Sequence, residues 1–165
     1  MNMSDRIFVM HNGVFEQSGT PAQIYDQPAT AFAASFVGTA NLFRGKLLSR
    51  EGDAAYIQFL DHKIKAACPY GLFDQENATV CVRSENIIMQ DTPAEYAIPA
   101  TVIDHTYTNG ILRIRLQVSA PQGQKPVQLI ASRQGARQNP KNGDVVYCTF
   151  DSRNAIVVED NIHEE

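Results

Sequence analysis

Residues 111–118 read Ile-Leu-Arg-Ile-Arg-Leu-Gln-Val, and this octapeptide gives the clearest indication of fold class in the chain. Leu112, Ile114, Leu116 and Val118 alternate with polar side chains. Successive side chains of a strand point to opposite faces of a sheet. A period of two therefore predicts a strand with one buried face and one face in water.

Similar patterns lie on both sides of this strand. Residues 100–107 are predicted to form a strand that turns at Thr108-Asn109-Gly110 and pairs with 111–118 as a hairpin. Further predicted strands, each bounded by turn residues, are 42–49, 54–60, 63–67, 79–83, 127–131, 144–150 and 155–158. About nine short strands in about 120 residues predict a mainly β domain, either a barrel or a sandwich.

The first 40 residues differ from the rest, and the boundary lies near residues 38–41. Apolar runs at 7–10 and 14–17 flank the dipeptide Asn12-Gly13. This dipeptide favours a tight hairpin turn because both residues accept a positive φ. The sequence therefore predicts a short hairpin at the start of the chain.

Two short helices are predicted after this hairpin. Thr20, Pro21 and Gln23 fit a capping box with proline at the first helical position, so the first helix should begin there and end before Pro28. A second helix over residues 30–37 should end at a glycine, which is a favourable residue after a helix terminus.

Composition excludes several classes of protein. The chain has 165 residues, 14 Lys+Arg against 18 Asp+Glu, a formal net charge of −4 and 44% hydrophobic residues, as expected of a soluble globular protein. No apolar run approaches the length of a membrane span. Asp5 and Arg6 interrupt the start of the chain, which argues against a signal peptide and for the cytoplasm. The acidic balance and the absence of Trp argue against a nucleic-acid partner.

The sequence contains no common catalytic signature. A phosphate-binding P-loop, a dinucleotide glycine motif, an H-E-x-x-H zinc motif and a nucleophile elbow are all missing. The four histidines do not share metal-ligand spacing, so no metal site is predicted. Cys68, Cys81 and Cys148 are scattered and are expected to be buried thiols. Taken alone, these residues describe a binding or interaction module.

One segment of the chain resembles a known protein family. It comprises residues 4–25, SDRIFVMHNGVFEQSGTPAQIY, and their continuation 26–41, DQPATAFAASFVGTAN. This segment resembles the closing part of the ATP-binding cassette of an ABC import transporter. Residues 81–87, CVRSENI, are similar to the V-R-P-E-x-I/L motif of the transport-associated OB (TOBE) domain that follows the cassette. Ser84 stands where that family usually has proline. The match around Ile103 to Gly110 is much less specific.

The resemblance implies three regions. Residues 1–40 would be the C-terminal remnant of the cassette, 41–160 a TOBE-type OB-like β-barrel and 161–165 an acidic tail that is expected to be loose from Asp160 onwards. The family's ATP-binding and catalytic motifs lie upstream of the matched segment. The chain is therefore expected to hydrolyse no ATP and to hold no cofactor, with ATP and magnesium bound only in the intact parent subunit.

The implied function is that of a non-catalytic regulatory and dimerisation domain of the ATPase subunit of a binding-protein-dependent importer. Its expected partners are a second copy of the chain, the ATPase core and the permease. It should be cytoplasmic and reach the membrane only through the transporter. The transported substrate is not readable from these residues.

Two sets of residues are candidates for contact. Possible ligand or interface residues are Arg83, Ser84, Glu85, Tyr107, Arg113 and Arg115, with the last three expected on the exposed barrel rim. Possible dimer contacts are Ile7, Val9, Ile24, Phe32, Phe36 and Val37, since these apolar residues would face the cassette core in an intact subunit. The alternatives left open are a barrel that senses a small anion or solute through Arg83 and Ser84, and single-stranded nucleic-acid binding, which the net charge disfavours.

Overall fold

The computed structural model describes residues 5–135 and 139–162. The predictions also cover residues that the structure does not describe, namely 1–4, 136–138 and the tail residues 163–165. Within the described part, the elements are β1 (Ile7–His11), β2 (Val14–Gly19), α1 (Pro21–Asp26), α2 (Ala31–Phe36), β3 (Ala40–Glu51), β4 (Ala54–Phe59), β5 (His62–Ala67), β6 (Asn77–Arg83), β7 (Ile88–Gln90), β8 (Ile98–Thr108), β9 (Ile111–Val118), β10 (Val127–Gln134), β11 (Val145–Thr149) and β12 (Ala155–Val158).

Five strands close into a barrel in the order β12-β5-β4-β3-β6. The long strand β3 pairs with β6 through its first half and with β4 through its second half. Gly45 allows this close packing, because a Cβ there would lie only 2.1 Å from the carbonyl oxygen of Gln58. The last strand, β12, is antiparallel to β6 and parallel to β5. The result is the OB-like barrel that the resemblance implied.

A second sheet has the strand order β10-β9-β8-β11-β7 and shares one hydrophobic core with the barrel. The predicted strand Ile111–Val118 is confirmed with the same bounds and alternates between exposed and buried residues over most of its length. At the centre of the barrel, the rings of Phe43 and Phe59 meet edge-on with centroids 4.9 Å apart. Strand β7 has only three residues and was not predicted from sequence.

Residues 5–39, called here the hairpin–helix segment, form the predicted hairpin and two helices. The capping box at Thr20 is present, and the Thr30 hydroxyl caps α2. The segment has a small core of its own, centred on Val9, Ile24 and Val37. Helix α2 also packs on the outside of the barrel, where its alanines meet residues of β6 and β12. The segment therefore folds back on the barrel.

The C-terminal residues differ from the expected loose tail. Asp160 accepts hydrogen bonds from Arg44 and Thr79. Asn161 donates to Glu16, and Ile162 packs against the helix–barrel junction. Residues 160–162 are thus packed against the rest of the chain.

The predicted burial of the three cysteines is confirmed. Burial raises the pKa of Cys81 to about 11 and that of Cys148 to about 12. These two thiols are therefore weak nucleophiles at neutral pH. Over residues 5–135 and 139–162, no helix has the length and apolarity needed to cross a membrane.

Candidate functional site

Arg83, at the end of β6, joins the barrel to the hairpin–helix segment. It is only 3% exposed. Its Nε and one terminal nitrogen donate to the carbonyl oxygen of Tyr25 at 3.2 and 3.1 Å, and the other terminal nitrogen donates to the carbonyl oxygen of Ala34. The guanidinium also lies 4.4 Å from the centroid of the Tyr25 ring. One buried cation therefore binds carbonyl groups near the ends of both short helices, where a helix leaves its carbonyls unpaired.

Glu85 and Tyr25 form the second part of this junction. The Tyr25 hydroxyl donates to a Glu85 carboxylate oxygen. Burial, together with this hydrogen bond and the negative charge of Glu85, raises the pKa of Tyr25 to about 12. The phenol therefore stays protonated and can keep donating across the physiological pH range.

Ser84 is buried and connects the barrel to the second sheet. Its hydroxyl lies 2.8 Å from that of Ser132 on β10, and its backbone N–H donates to the carbonyl of Thr39. Ser132 is the register partner of Arg113 on β9. The structure thus brings Arg83, Ser84 and Glu85 together at one junction and places Arg113 on the sheet next to it.

The three candidates predicted on the barrel rim are exposed, but they lie on β8 and β9, which belong to the second sheet and not to the closed barrel. Tyr107 is 60% exposed near the tip of the β8–β9 hairpin. Arg115 forms an ion pair with Asp104 across the two strands, and both side chains are largely in water, so this pair adds little stability. Arg113 is exposed beside its register partner Thr106. Their role as an interface stays a prediction.

The six predicted dimer contacts fall into different environments. Val9, Ile24 and Val37 are buried within the chain itself, so they are not available to a partner without rearrangement. Ile7 and Phe32 are partly buried against the same small core. Phe36 is 68% exposed.

A different apolar surface is open to solvent on the hairpin–helix segment. We call it the apolar face, and its members are Phe8, Met10 and Phe15, all more than half exposed. Met10 and Phe15 are register partners across the hairpin. The rings of Phe8 and Phe15 contact each other across the hairpin at 6.4 Å. Exposed apolar side chains clustered on one small element mark an interaction surface in most proteins.

Sequence reasoning missed a buried polar cluster around Glu16. The Glu16 carboxylate accepts hydrogen bonds from His11, Thr30 and Asn161. The His11 ring stacks on Phe32 with centroids 3.9 Å apart. The available signal was a polar residue within an apolar hairpin, but its partners lie in three other parts of the chain.

The face of the barrel strands β4 and β5 is the one with which OB-folds bind oligonucleotides. Tyr56 lies on β4, and the Nζ atoms of Lys63 and Lys65 on β5 lie 4.8 and 5.8 Å from its ring centroid. Lysines at these distances make cation–π contacts with the tyrosine ring. Among the described residues, no three His, Cys, Asp or Glu side chains are grouped so that they could hold a metal ion.

Comparison with known proteins identifies relatives among import ATPases. The chain is 31% identical over 128 residues to the spermidine/putrescine import ATP-binding protein PotA of Hahella chejuensis, covering 74% of this chain and 34% of that protein. It is 30% identical over 156 residues to the sulfate/thiosulfate import ATP-binding protein CysA of Mannheimia succiniciproducens, covering 93% of this chain and 42% of the relative. The chain therefore spans between about a third and two fifths of the length of these two relatives.

No family model matches the chain. Among solved structures, the cytoplasmic molybdate-binding protein ModG with molybdate bound superposes with a TM-score of 0.51 at 14% identity, covering 72% of this chain and 95% of ModG. At that identity the likeness concerns the fold alone, and it agrees with an OB-like TOBE domain. Over most of its own length, and over part of theirs, this chain is homologous to the ATP-binding subunits of ABC importers.

Proposed function

We propose that this chain is the non-catalytic regulatory domain of the ATP-binding subunit of a binding-protein-dependent ABC importer. The observation that carries the proposal is the apolar face. Leaving large apolar side chains in water is unfavourable by about 1.5–3 kcal/mol for each one that could be fully buried. Phe8 and Phe15 thus provide a strong driving force for a partner to cover the hairpin.

The partner that we assign to the apolar face is the ATP-binding part of the same kind of subunit. The relatives are ATP-binding proteins, and more than half of their length lies outside the match. The segment that carries the apolar face is also the part of the chain that resembles the end of a cassette. A second copy of this chain is the competing occupant.

Regulation would act through a second surface, on the exposed side of β8 and β9. In an assembled importer we place two such chains in one homodimeric ATPase at the cytoplasmic side of the membrane. The exposed side chains Tyr107, Arg113 and Arg115 of β8 and β9 would be available for contact. Contacts there would shift the balance between open and closed cassettes. ATP and magnesium would bind outside this chain.

The anion-sensing alternative receives less support. Arg83 was its main donor, and that guanidinium already binds the carbonyls of Tyr25 and Ala34 in a buried position. An anion at Arg83 would have to release both helices. The net charge of −4 likewise gives no support to nucleic-acid binding.

The decisive experiment mixes this chain with the ATP-binding part of Hahella chejuensis PotA, prepared without the third that matches this chain. We expect a complex by light scattering, lost in the double variant Phe8→Ser/Phe15→Ser and kept in the matched surface control Tyr107→Ser. No complex, or a complex insensitive to Phe8 and Phe15, would overturn the assignment of the apolar face.

Two further measurements test the remaining parts of the proposal. Calorimetry of the chain with ATP and magnesium should be flat, and binding at micromolar concentration would contradict a non-catalytic role. Light scattering of the chain alone tests whether a second copy takes the apolar face. A dimer of the 18.3 kDa chain that persists when PotA's ATP-binding part is added would identify the second copy as the occupant.

A further inference from the structure

The C-terminal residues after β12 run back over the start of α2. The N–H of Ala31 donates to the carbonyl of Glu159 at 2.8 Å, and the N–H of Glu159 donates to the carbonyl of Ala29 at 2.9 Å. These two bonds form a parallel bridge between Thr30 and Glu159. Residues 159–162, called here the strap, thus extend the last barrel strand onto the hairpin–helix segment.

Consecutive side chains of the strap point to different parts of the protein. Asp160 faces the barrel, where it accepts from Arg44 Nε at 2.7 Å and from the Thr79 hydroxyl at 3.0 Å. Asn161 faces the hairpin–helix segment. Its Oδ1 accepts from the backbone N–H of Phe32 at 3.1 Å and its Nδ2 donates to Glu16 Oε1 at 2.6 Å.

Glu16 makes the contact with Asn161 specific. Its side chain is only 6% exposed, and a buried carboxylate is costly unless donors surround it. The donors come from β1, from the cap of α2 and from the strap, through His11, Thr30 and Asn161 respectively. Without the strap, the carboxylate would lose one of three donors. The chemistry also requires an amide at position 161, because one atom must accept while the other donates.

We propose that the strap is a second joint, besides Arg83, that holds the hairpin–helix segment against the barrel, and that Asn161 is its positioning residue. Release of Asn161 would loosen the hairpin on this side, while Arg83 still holds the helix ends. This inference deepens the proposed function and rests on it, because the hairpin is the element that we assign to the ATPase contact. A partner that displaces the strap would thereby change the position of the apolar face.

The test is hydrogen exchange on the full chain with an isosteric change, Asn161→Asp. An aspartate can still accept from Phe32, but it places a second carboxylate against Glu16. Losing a hydrogen bond to a charged group should speed exchange of the β1–β2 and α2 amides by about tenfold or more. The amides of β9 serve as an internal reference and should be unchanged.

Two control variants keep this test falsifiable. Asn161→Ala removes the bonds without adding charge, so it should loosen the same amides by a smaller factor. In the double variant Glu16→Gln/Asn161→Asp, the new amide can donate to the new carboxylate, and protection of the segment should return to near its original level.

Three results would overturn the inference. The first is an unchanged amide exchange rate in Asn161→Asp. The second is an equal increase of the exchange rate in β9 and in the hairpin–helix segment. The third is a double variant whose segment exchanges as fast as that of Asn161→Asp. Because the measurement uses the isolated chain, it is independent of docking to an ATPase. The exchange experiment can succeed although the chain does not bind the ATP-binding part of PotA. In that case the role of the strap would be established and the proposed function would be wrong.

Discussion

Replacing Arg83 by methionine should destabilise the junction between the helices and the barrel. Methionine keeps most of the apolar stem but has no donors. The carbonyls of Tyr25 and Ala34 would then lose the donors that this side chain supplies. An unsatisfied buried polar group costs about 1–3 kcal/mol, so the two together set a range of about 2–6 kcal/mol. Methionine also removes the cost of burying a cation, which offsets part of this loss. We therefore expect the free energy of unfolding to fall by about 2–4 kcal/mol.

The assay is thermal unfolding followed by circular dichroism, with urea unfolding as a second measure. For a protein of this size, 1 kcal/mol shifts the midpoint by about 2–4 °C, so Arg83→Met should lower it by about 4–16 °C. Arg83→Lys is the matched control, because an ammonium group can reach one carbonyl and should lose less. A methionine variant within about 0.5 kcal/mol of the original chain, the range of ordinary surface substitutions, would refute the argument that Arg83 satisfies both helix ends.

Three further predictions concern the barrel and the strap. Gly45→Ala should lower the free energy of unfolding by about 2–3 kcal/mol in urea titrations, because the new Cβ would collide with backbone atoms. The control Gly52→Ala, at a φ of +60° with open space around it, should lower it by only about 1 kcal/mol. Equal losses in the two variants would contradict the steric argument. Phe43→Ala should cost about 3–5 kcal/mol in the same titrations, and the exposed Phe36→Ala should stay within about 0.5 kcal/mol. Partial burial raises the pKa of Asp160, but its hydrogen bonds outweigh this effect and hold the pKa below the ordinary value of 3.8. The ionised carboxylate therefore stabilises the fold above pH 3.8, and this stabilisation is lost as the pH falls through the lowered pKa. Asp160→Asn should therefore lower stability at pH 7 and weaken the acid dependence below about pH 4, and an unchanged acid profile would contradict this role.

Local patterns were enough to predict most of the elements. The strand Ile111–Val118 has the same bounds in sequence and structure because alternation along a strand depends only on which face is buried. The capping box at Thr20 is equally local, since its two bonds join residues three apart. Strand β7 was missed because three residues are too few to show a period, and it forms only by pairing with β11.

The candidate site was only partly predictable. The motif around Arg83 was found by resemblance, but its interpretation as a ligand donor came from residue type alone. In the structure its partners are 58 and 49 residues away in sequence, on helices whose carbonyls need donors. Val9, predicted as a possible dimer contact, lies in the small core, whereas its neighbour Phe8, which was not among the predicted contacts, lies in water.

The sequence by itself determined the relationship to importer ATPases, the mainly β class and the order of most elements, because motifs and periodicity are properties of neighbouring residues. Only the tertiary structure decided which polar groups meet. Glu16 and Asn161 are 145 residues apart, and no local pattern relates them. Their contact exists because closing the barrel brings the end of β12 beside α2, where a buried carboxylate requires a donor.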